Sequence, residues 1–464
     1  MKVFLAQAAV YTPDVERSMP LGIMYLASYL RERYGCEVKL FDMQLRIKRV
    51  EPVIQAAREF GPELIGISGM SPDARAIQSL TQAIRREFPD VPLVIGGAHA
   101  TNCPERTLDE TDCDYLIPNE GELALGALVE HLRGERELQD VPSILYRRDG
   151  QTVQHEPAPY IEDLDSLPFP AFDLIDIEGY YKIQRCGVIF SHKRYAAMVT
   201  SRGCPYRCAY CHNILGKHNR VRSPENVVNE MQSLVREYGV GEFVIMDDMV
   251  NLYPKRINRI AELIIERKLD IKLHFPIGMR GDIMTEESVR LLKKAGMFRC
   301  MYAVETASPR LQKMIRKNND LDKILHIIDY TQRQGVMVHG TFMLGFPTET
   351  EQEALATLEL ARRSRLHTAA FYRVIPYWGT DLYRMALDAG VEMPQEMEHY
   401  EFHKSDAINM SQMPDETLSR LRRQAYRSFY LRPSRLWRIL QTLPNPLRLL
   451  PLLTLTWIRK ALVW

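Results

Sequence analysis

The stretch Thr200-Ser201-Arg202-Gly203-Cys204-Pro205-Tyr206-Arg207-Cys208-Ala209-Tyr210-Cys211 sets three cysteines at C-x3-C-x2-C spacing directly after a β-rich run at residues 197–201. Cysteines in a loop that leaves a strand end are close enough in the chain to converge on one object. Iron–sulfur clusters take thiolate ligands, and three ligands for a four-iron cluster leave one iron open for a small molecule. A structural zinc site asks for four ligands in paired spacing. His212 or His218 supplies a fourth, but the pairing is absent. The other cysteines, Cys36, Cys103, Cys113, Cys186 and Cys300, are scattered and read as small buried hydrophobes.

Downstream of the cysteines the chain alternates regularly. Strands are expected at 197–201, 242–246, 272–276, 299–304, 336–344 and 369–375, with helices at 224–238, 255–268, 286–295, 321–334 and 349–364. Six strands with helices between them predict a partial (β/α)6 TIM-type barrel, whose functional groups sit where strands end. Upstream, strands at 2–8, 37–41, 63–68, 92–96 and 115–117 alternate with helices at 21–34, 50–60, 74–88 and 120–132. This is the pattern of a doubly wound parallel sheet covered on both faces. Ligands of such sheets bind beyond the carboxyl ends of the strands, here the loops after Phe41, Ser68 and Gly96. Between the two alternations Pro142, Pro157, Pro159, Pro168 and Pro170 mark a linker or short hairpin. The α/β chain therefore divides into a Rossmann-type domain at 1–140, a linker at 141–195, the barrel at 196–400 and a helical C-terminal region at 401–464.

The 464 residues carry a formal net charge of +1, with 46% apolar and 26% charged side chains, the profile of a soluble globular protein. Nothing in that balance draws the chain to nucleic acid. No stretch reads as a membrane span and the first residues enter a strand directly, so a cytoplasmic location is expected. The C-terminal region is locally different. Beyond Glu416 it has no acidic residue, while arginines interleave with Leu, Ile and Trp, and residues 449–457 are strongly apolar. Such a tail suits peripheral contact with an anionic membrane interface or packing over the barrel with its arginines in water.

Cys204, Cys208 and Cys211, with Tyr210 before the last of them, resemble the signature of the radical S-adenosylmethionine superfamily. The resemblance implies a [4Fe–4S] cluster whose open iron is chelated by the amino and carboxylate groups of S-adenosylmethionine. The reduced cluster cleaves the C5′–S bond to methionine and a 5′-deoxyadenosyl radical, so an external electron donor such as flavodoxin or ferredoxin is implied. Asp247 and Asp248 match the family's holders of the amino group, although an acidic pair there also suits a helix N-cap. Glu305 matches a contact to ribose or methionine, and Arg280 resembles a carboxylate clamp. The segment 340–350 resembles the strand beside adenine.

The N-terminal layout resembles the cobalamin-binding domain of one large subclass of that superfamily. The matching residues include Ser68, Gly69, Gly96, Gly97 and His99, and the small side chains among them would let a corrin approach the backbone. Mutase-type cobalamin domains carry D-x-H-x-x-G with a histidine below cobalt. Here the stretch is Asp42-Met43-Gln44-Leu45-Arg46, so the resemblance is to members without that ligand. His99 is expected to line the pocket. Together the two resemblances imply a cobalamin-dependent enzyme acting on an unactivated carbon of a small, apolar molecule, with methyl transfer the first expectation. Radical cyclisation, oxidation or rearrangement of a lipid, isoprenoid or tetrapyrrole, as in the anaerobic oxidative cyclase, is the alternative. A cobalamin or iron–sulfur sensor is the alternative of another class, though a sensor has no need of a complete S-adenosylmethionine site.

Overall fold

The computed structural model describes residues 1–9, 18–45, 49–183, 189–394, 400 and 408–443. It forms two compact units, Met1–Arg185 with His212–Gly216, and Cys186–Cys211 with Lys217–Trp464.

The first unit is built on strands β1 (Lys2–Gln7), β2 (Glu37–Asp42), β3 (Leu64–Ser68), β4 (Leu93–Gly96), β5 (Tyr115–Ile117), β6 (Leu145–Arg148) and β7 (Gln151–Gln154). Their order is β2-β1-β3-β4-β5-β6-β7. The first five pair in parallel. Val3, Phe4, Leu5 and Ala6 are all buried, as a strand covered on both faces requires. The order reverses between β1 and β3, which makes the carboxyl ends of those strands the natural binding crevice.

The segment expected as a linker or short hairpin contains a hairpin, and that hairpin extends the sheet. β6 joins β5 antiparallel and β7 joins β6, through a turn at Asp149 (φ 51°) and Gly150 (φ 77°). Asp-Gly with both residues left-handed is the turn whose twist matches a two-residue hairpin.

The second unit carries β8 (Tyr195–Met198), β9 (Ser201–Arg202), β10 (Arg220–Val221), β11 (Glu242–Ile245), β12 (Lys272–Met279), β13 (Met297–Glu305), β14 (Met337–Leu344) and β15 (Thr368–Arg373). Six of them form a sheet in the order β15-β14-β13-β12-β11-β8, every pair parallel, which is the expected partial barrel. Neighbours in sequence are neighbours in space, so all carboxyl ends open on one side.

The edge strand β15 is closed by side chains. Tyr426 accepts from the Phe371 amide at 3.2 Å, Tyr430 accepts from the Ala369 amide at 2.9 Å, and Arg422 Nε donates to the Phe371 carbonyl at 3.1 Å. All three stand on the helix Asp415–Tyr430, which covers an edge that would otherwise offer unpaired backbone groups. The helix Pro433–Thr442 follows. The apolar run at 449–457 lies outside the described residues. Among the described residues no helix is long and apolar enough to cross a membrane.

Candidate active site

The cysteine loop leaves β9 and returns through β10, and the two strands pair antiparallel at its base, Arg202 opposite Arg220 and Ser201 opposite Val221. Gly203, with φ 81°, makes the first bend, a conformation that favours glycine. Asn219 Nδ2 donates to its carbonyl at 2.6 Å. Deeper in the loop, the Ala209 amide donates to the Ile315 carbonyl at 2.9 Å, and the Leu382 amide donates to the Ala209 carbonyl at 2.8 Å. Cys208 Sγ lies 3.9 Å from the Arg316 carbonyl. Burial pushes the Cys204 thiol up, and the Asp248 and Cys208 charges push it further, so the three thiols and Asp248 share one neighbourhood.

Arg280, expected as a carboxylate clamp, has protein partners on every side of its guanidinium. Its Nε and Nη2 hold both oxygens of Asp282 at 2.9 and 2.6 Å, and Nη1 and Nη2 donate to the Lys317 and Asn318 carbonyls at 3.0 and 3.3 Å. The guanidinium lies 4.1 Å from the centre of the Tyr206 ring, between Cys204 and Cys208 in sequence. Its fork is filled by an acid two residues away, and its flat face supports the cysteine loop instead.

Asp247 and Asp248 part company. Asp247 is 3% exposed, and its oxygens accept from the Thr200 amide, the Thr200 hydroxyl and the Ser201 hydroxyl, each at 2.6 Å. It ties the end of β11 to the segment that launches the cysteines. Burial raises its carboxyl pKa, against the Arg256 charge and those hydrogen bonds. Asp248 is half-buried and is the member of the pair whose charge reaches the thiols.

Glu305 ends β13 at a register shift against β14, with φ 70°. A side-chain-bearing residue held there is strained, and such strain gathers at functional sites. Its carboxylate is buried and receives the Tyr210 hydroxyl at 3.3 Å. Burial raises the Glu305 carboxyl, opposed by Lys317, Tyr210 and Thr341, and burial with the Glu305 charge pushes the Tyr210 phenol well up.

Sequence reasoning missed the loop 315–319. Arg316 (φ 55°) and Asn318 (φ 48°) are both left-handed, Lys317 is buried beside Glu305, and Arg316 pairs with Asp381. The adjacent Asn318-Asn319 was the one local signal, since asparagine tolerates that conformation.

In the first unit, the glycine loops meet each other. A Cβ on Gly97 (φ +87°) would stand 2.5 Å from Ser68 Oγ and 3.1 Å from the Gly69 amide, and one on Gly69 would strike Ile77 at 2.8 Å. Glycine is therefore needed there for loop-to-loop packing, before any ligand is considered. His99 is 2% exposed, its amide donates to the Gly69 carbonyl at 3.1 Å, and its Nδ1 has no partner among the described residues. Burial, with the Arg106 charge, lowers its imidazole to about 4, so the ring is neutral. At the position of the mutase histidine, Gln44 donates to the Ser18 carbonyl at 3.1 Å, and Asp42 accepts from the Tyr180 hydroxyl.

Residues 198–361 match the family model of the radical SAM superfamily, and residues 15–129 match that of the B12 binding domain. An uncharacterised methyltransferase of Pyrococcus horikoshii is 31% identical over 417 residues, 89% of this chain and 88% of the relative. The chain belongs to the B12-binding-domain subclass of the radical S-adenosylmethionine superfamily. The cytidylyl-2-hydroxyethylphosphonate methyltransferase of Streptomyces wedmorensis is 28% identical, over 92% of this chain and 89% of the relative. The solved structure of the radical S-adenosylmethionine methyltransferase TsrM from Kitasatospora setae, with cobalamin and a [4Fe–4S] cluster, superposes with a TM-score of 0.72 at 17% identity. It covers 93% of this chain and 89% of that one, and shares the fold.

The protein is thus a radical S-adenosylmethionine enzyme that acts on a small molecule and needs a reductant. The cofactors that go with its two domains are the cluster, S-adenosylmethionine and cobalamin. The residues present fit them. Among the described residues no group of three or more His, Cys, Asp or Glu is gathered tightly enough for a single metal ion. The charges of Cys204, Cys208 and Asp248 all bear on Cys211, which places the three thiols in the one neighbourhood that a shared cluster needs. In the first unit the unpaired, buried Nδ1 of His99, close to the glycine loops, is a polar atom that asks for a partner.

Proposed function

We propose that this enzyme transfers a methyl group to an unactivated carbon of a small, apolar substrate. The observation that carries the reading is the likeness, along most of the chain, to relatives that join a B12 binding domain to a radical SAM domain. The Tyr210–Glu305 contact, which holds a buried, strained carboxylate against the residue next to Cys211, supports an S-adenosylmethionine site there. The relatives from Pyrococcus and Streptomyces are methyltransferases by name, which supports methyl transfer over cyclisation.

When bound, the cluster supplies reductive cleavage of S-adenosylmethionine and cobalamin supplies a methyl carrier. Cys204, Cys208 and Cys211 hold the cluster. Glu305 and Asp248 take the positive or hydroxylic groups of S-adenosylmethionine, and Lys317 takes its carboxylate, since Arg280 is committed to Asp282. Ser68, Gly69, Gly96, Gly97 and His99 would line the cobalamin site. Met343, Tyr377 and Trp378, packed beside Tyr210 and Phe346 at the ends of β14 and β15, favour an apolar substrate and exclude water. A small ferredoxin or flavodoxin is the fitting reductant. The exposed Leu431 and Trp437 support peripheral membrane contact.

Anaerobic reconstitution tests the cluster. About four irons per chain and reductant-dependent 5′-deoxyadenosine are expected, both lost in Cys208→Ala. Full iron content in a triple alanine variant of the three cysteines would overturn it.

A further inference from the structure

A second gathering of polar groups stands at the opposite ends of the barrel strands, around His367, which immediately precedes β15. His367 is fully buried and its Nδ1 accepts from the Val338 amide at 3.0 Å. Nε2 therefore carries the proton. Burial, with Arg438 and Arg435 beside it, lowers the imidazole to about 4, so the ring stays neutral and Nε2 is a donor.

Arg435 is 1% exposed, and its guanidinium lies 3.4 Å from the centre of the Phe429 ring. Its Nη2 donates to the Arg362 and Ser364 carbonyls at 2.9 and 3.2 Å, and Arg432 Nη1 donates to the Arg362 carbonyl at 2.7 Å. These bonds cap the helix Glu351–Arg363, a favourable place for a cation. They leave most of the fork unused. Arg435 Nε and Nη1, Arg438 Nε and His367 Nε2 are all buried without a partner among the described residues.

A buried donor without a partner asks for an acceptor. Four of them stand around His367 and Arg435, and each of these four is a donor. Asp329 is ion-paired with Arg333 and Arg365, and Glu359 with Arg362, so the charges of both carboxylates are already balanced by other arginines. Donors alone, with two guanidinium charges among them, select a ligand that only accepts. Guanidinium forks match tetrahedral oxyanions in geometry and charge.

We propose that His367, Arg435 and Arg438 form a binding site for one phosphate-type oxyanion, remote from the cysteine loop and unrelated to methyl transfer. The anion seats the helix Pro433–Thr442 against the barrel. Its source is a free phosphate or a phospholipid headgroup, the second suited to Leu431 and Trp437, which are 69% and 63% exposed next to the site.

Titration calorimetry of the full chain with sodium phosphate, against sodium chloride at equal ionic strength, reads the site. About one phosphate per chain is expected, weakened about tenfold or more in Arg438→Gln, a half-buried position whose replacement leaves the helix cap intact. Arg435→Gln should weaken it as well. Co-sedimentation with phosphatidylglycerol vesicles, reversed by phosphate, assigns the source to lipid, and phosphate binding without co-sedimentation assigns it to a free solute. No phosphate binding beyond that of chloride, or equal binding by wild type and Arg438→Gln, would overturn the site.

Discussion

The guanidinium of Arg280 lies 4.1 Å from the centre of the Tyr206 ring while its fork grips both oxygens of Asp282, so one buried cation joins the end of β12 to the cysteine loop. Breaking a buried ion pair of this kind costs about 3 kcal/mol. Arg280→Lys keeps the charge and loses both the fork and the flat stacking face. The expected outcome is several-fold less iron retained after desalting, with S-adenosylmethionine affinity unchanged in the molecules that keep the cluster. Intact iron with a tenfold weaker affinity would make Arg280 the carboxylate clamp after all.

Glu305 separates strain from chemistry. A left-handed conformation costs a side-chain-bearing residue about 1 kcal/mol, and its φ is 70°. Glu305→Gly releases that strain and Glu305→Gln keeps it, while both lose the carboxylate that Tyr210 addresses. Both variants should cleave S-adenosylmethionine at least about tenfold more slowly, since a hydrogen bond to a charged group contributes about 2 kcal/mol. The glycine variant should melt no lower than the glutamine variant. Turnover near wild type in either one removes Glu305 from the site.

The cysteine loop and the strands of both sheets were legible because their signals are local: spacing in one case, runs of buried β-branched and aliphatic residues in the other. Asp149-Gly150 was equally local, and marks a hairpin inside a proline-rich segment. Roles that depend on distant partners were not legible. Arg280 reads as a carboxylate clamp until Asp282 and Tyr206 are seen around it. Asp247 reads, with Asp248, as a partner for an ammonium group or as a helix N-cap until Thr200 and Ser201, more than forty residues earlier, are found on its oxygens. The ribbon of β9 and β10 has two residues per strand, too few to carry an alternation. Gly97 was visible as a glycine, but its reason, the approach of Ser68 Oγ, belongs to the packing of two loops.

His99 should make the first unit sensitive to acid. Its imidazole titrates at about 4 in the folded chain, against 6.5 when exposed. Between those values the unfolded chain binds the proton and the folded one does not, so stability is complete above 6.5 and falls as pH drops toward 4. The loss at pH 5 is about 2 kcal/mol. Urea midpoints of the first unit at pH 7 and pH 5 should differ in wild type, and the difference should shrink in His99→Phe. An equal pH response in both would show that His99 is not the group responsible.

Cobalt, when loaded, should have no protein imidazole beneath it. Gln44 occupies the place of the mutase histidine and is bonded to the Ser18 carbonyl. The Co(II) EPR spectrum should therefore lack nitrogen superhyperfine splitting from a protein ligand. Splitting that disappears in His99→Ala would place His99 on the metal.

Methyl transfer itself is read most directly from the products. A methylase of this class spends two molecules of S-adenosylmethionine per turnover, one as methyl source and one as radical source. With S-[methyl-d3]-adenosylmethionine and the native substrate under anaerobic reducing conditions, mass analysis should find S-adenosylhomocysteine and 5′-deoxyadenosine in near-equal amounts, with label in the product. Release of 5′-deoxyadenosine alone, with an unlabelled product, would contradict methyl transfer and leave a cyclase or rearrangement catalyst.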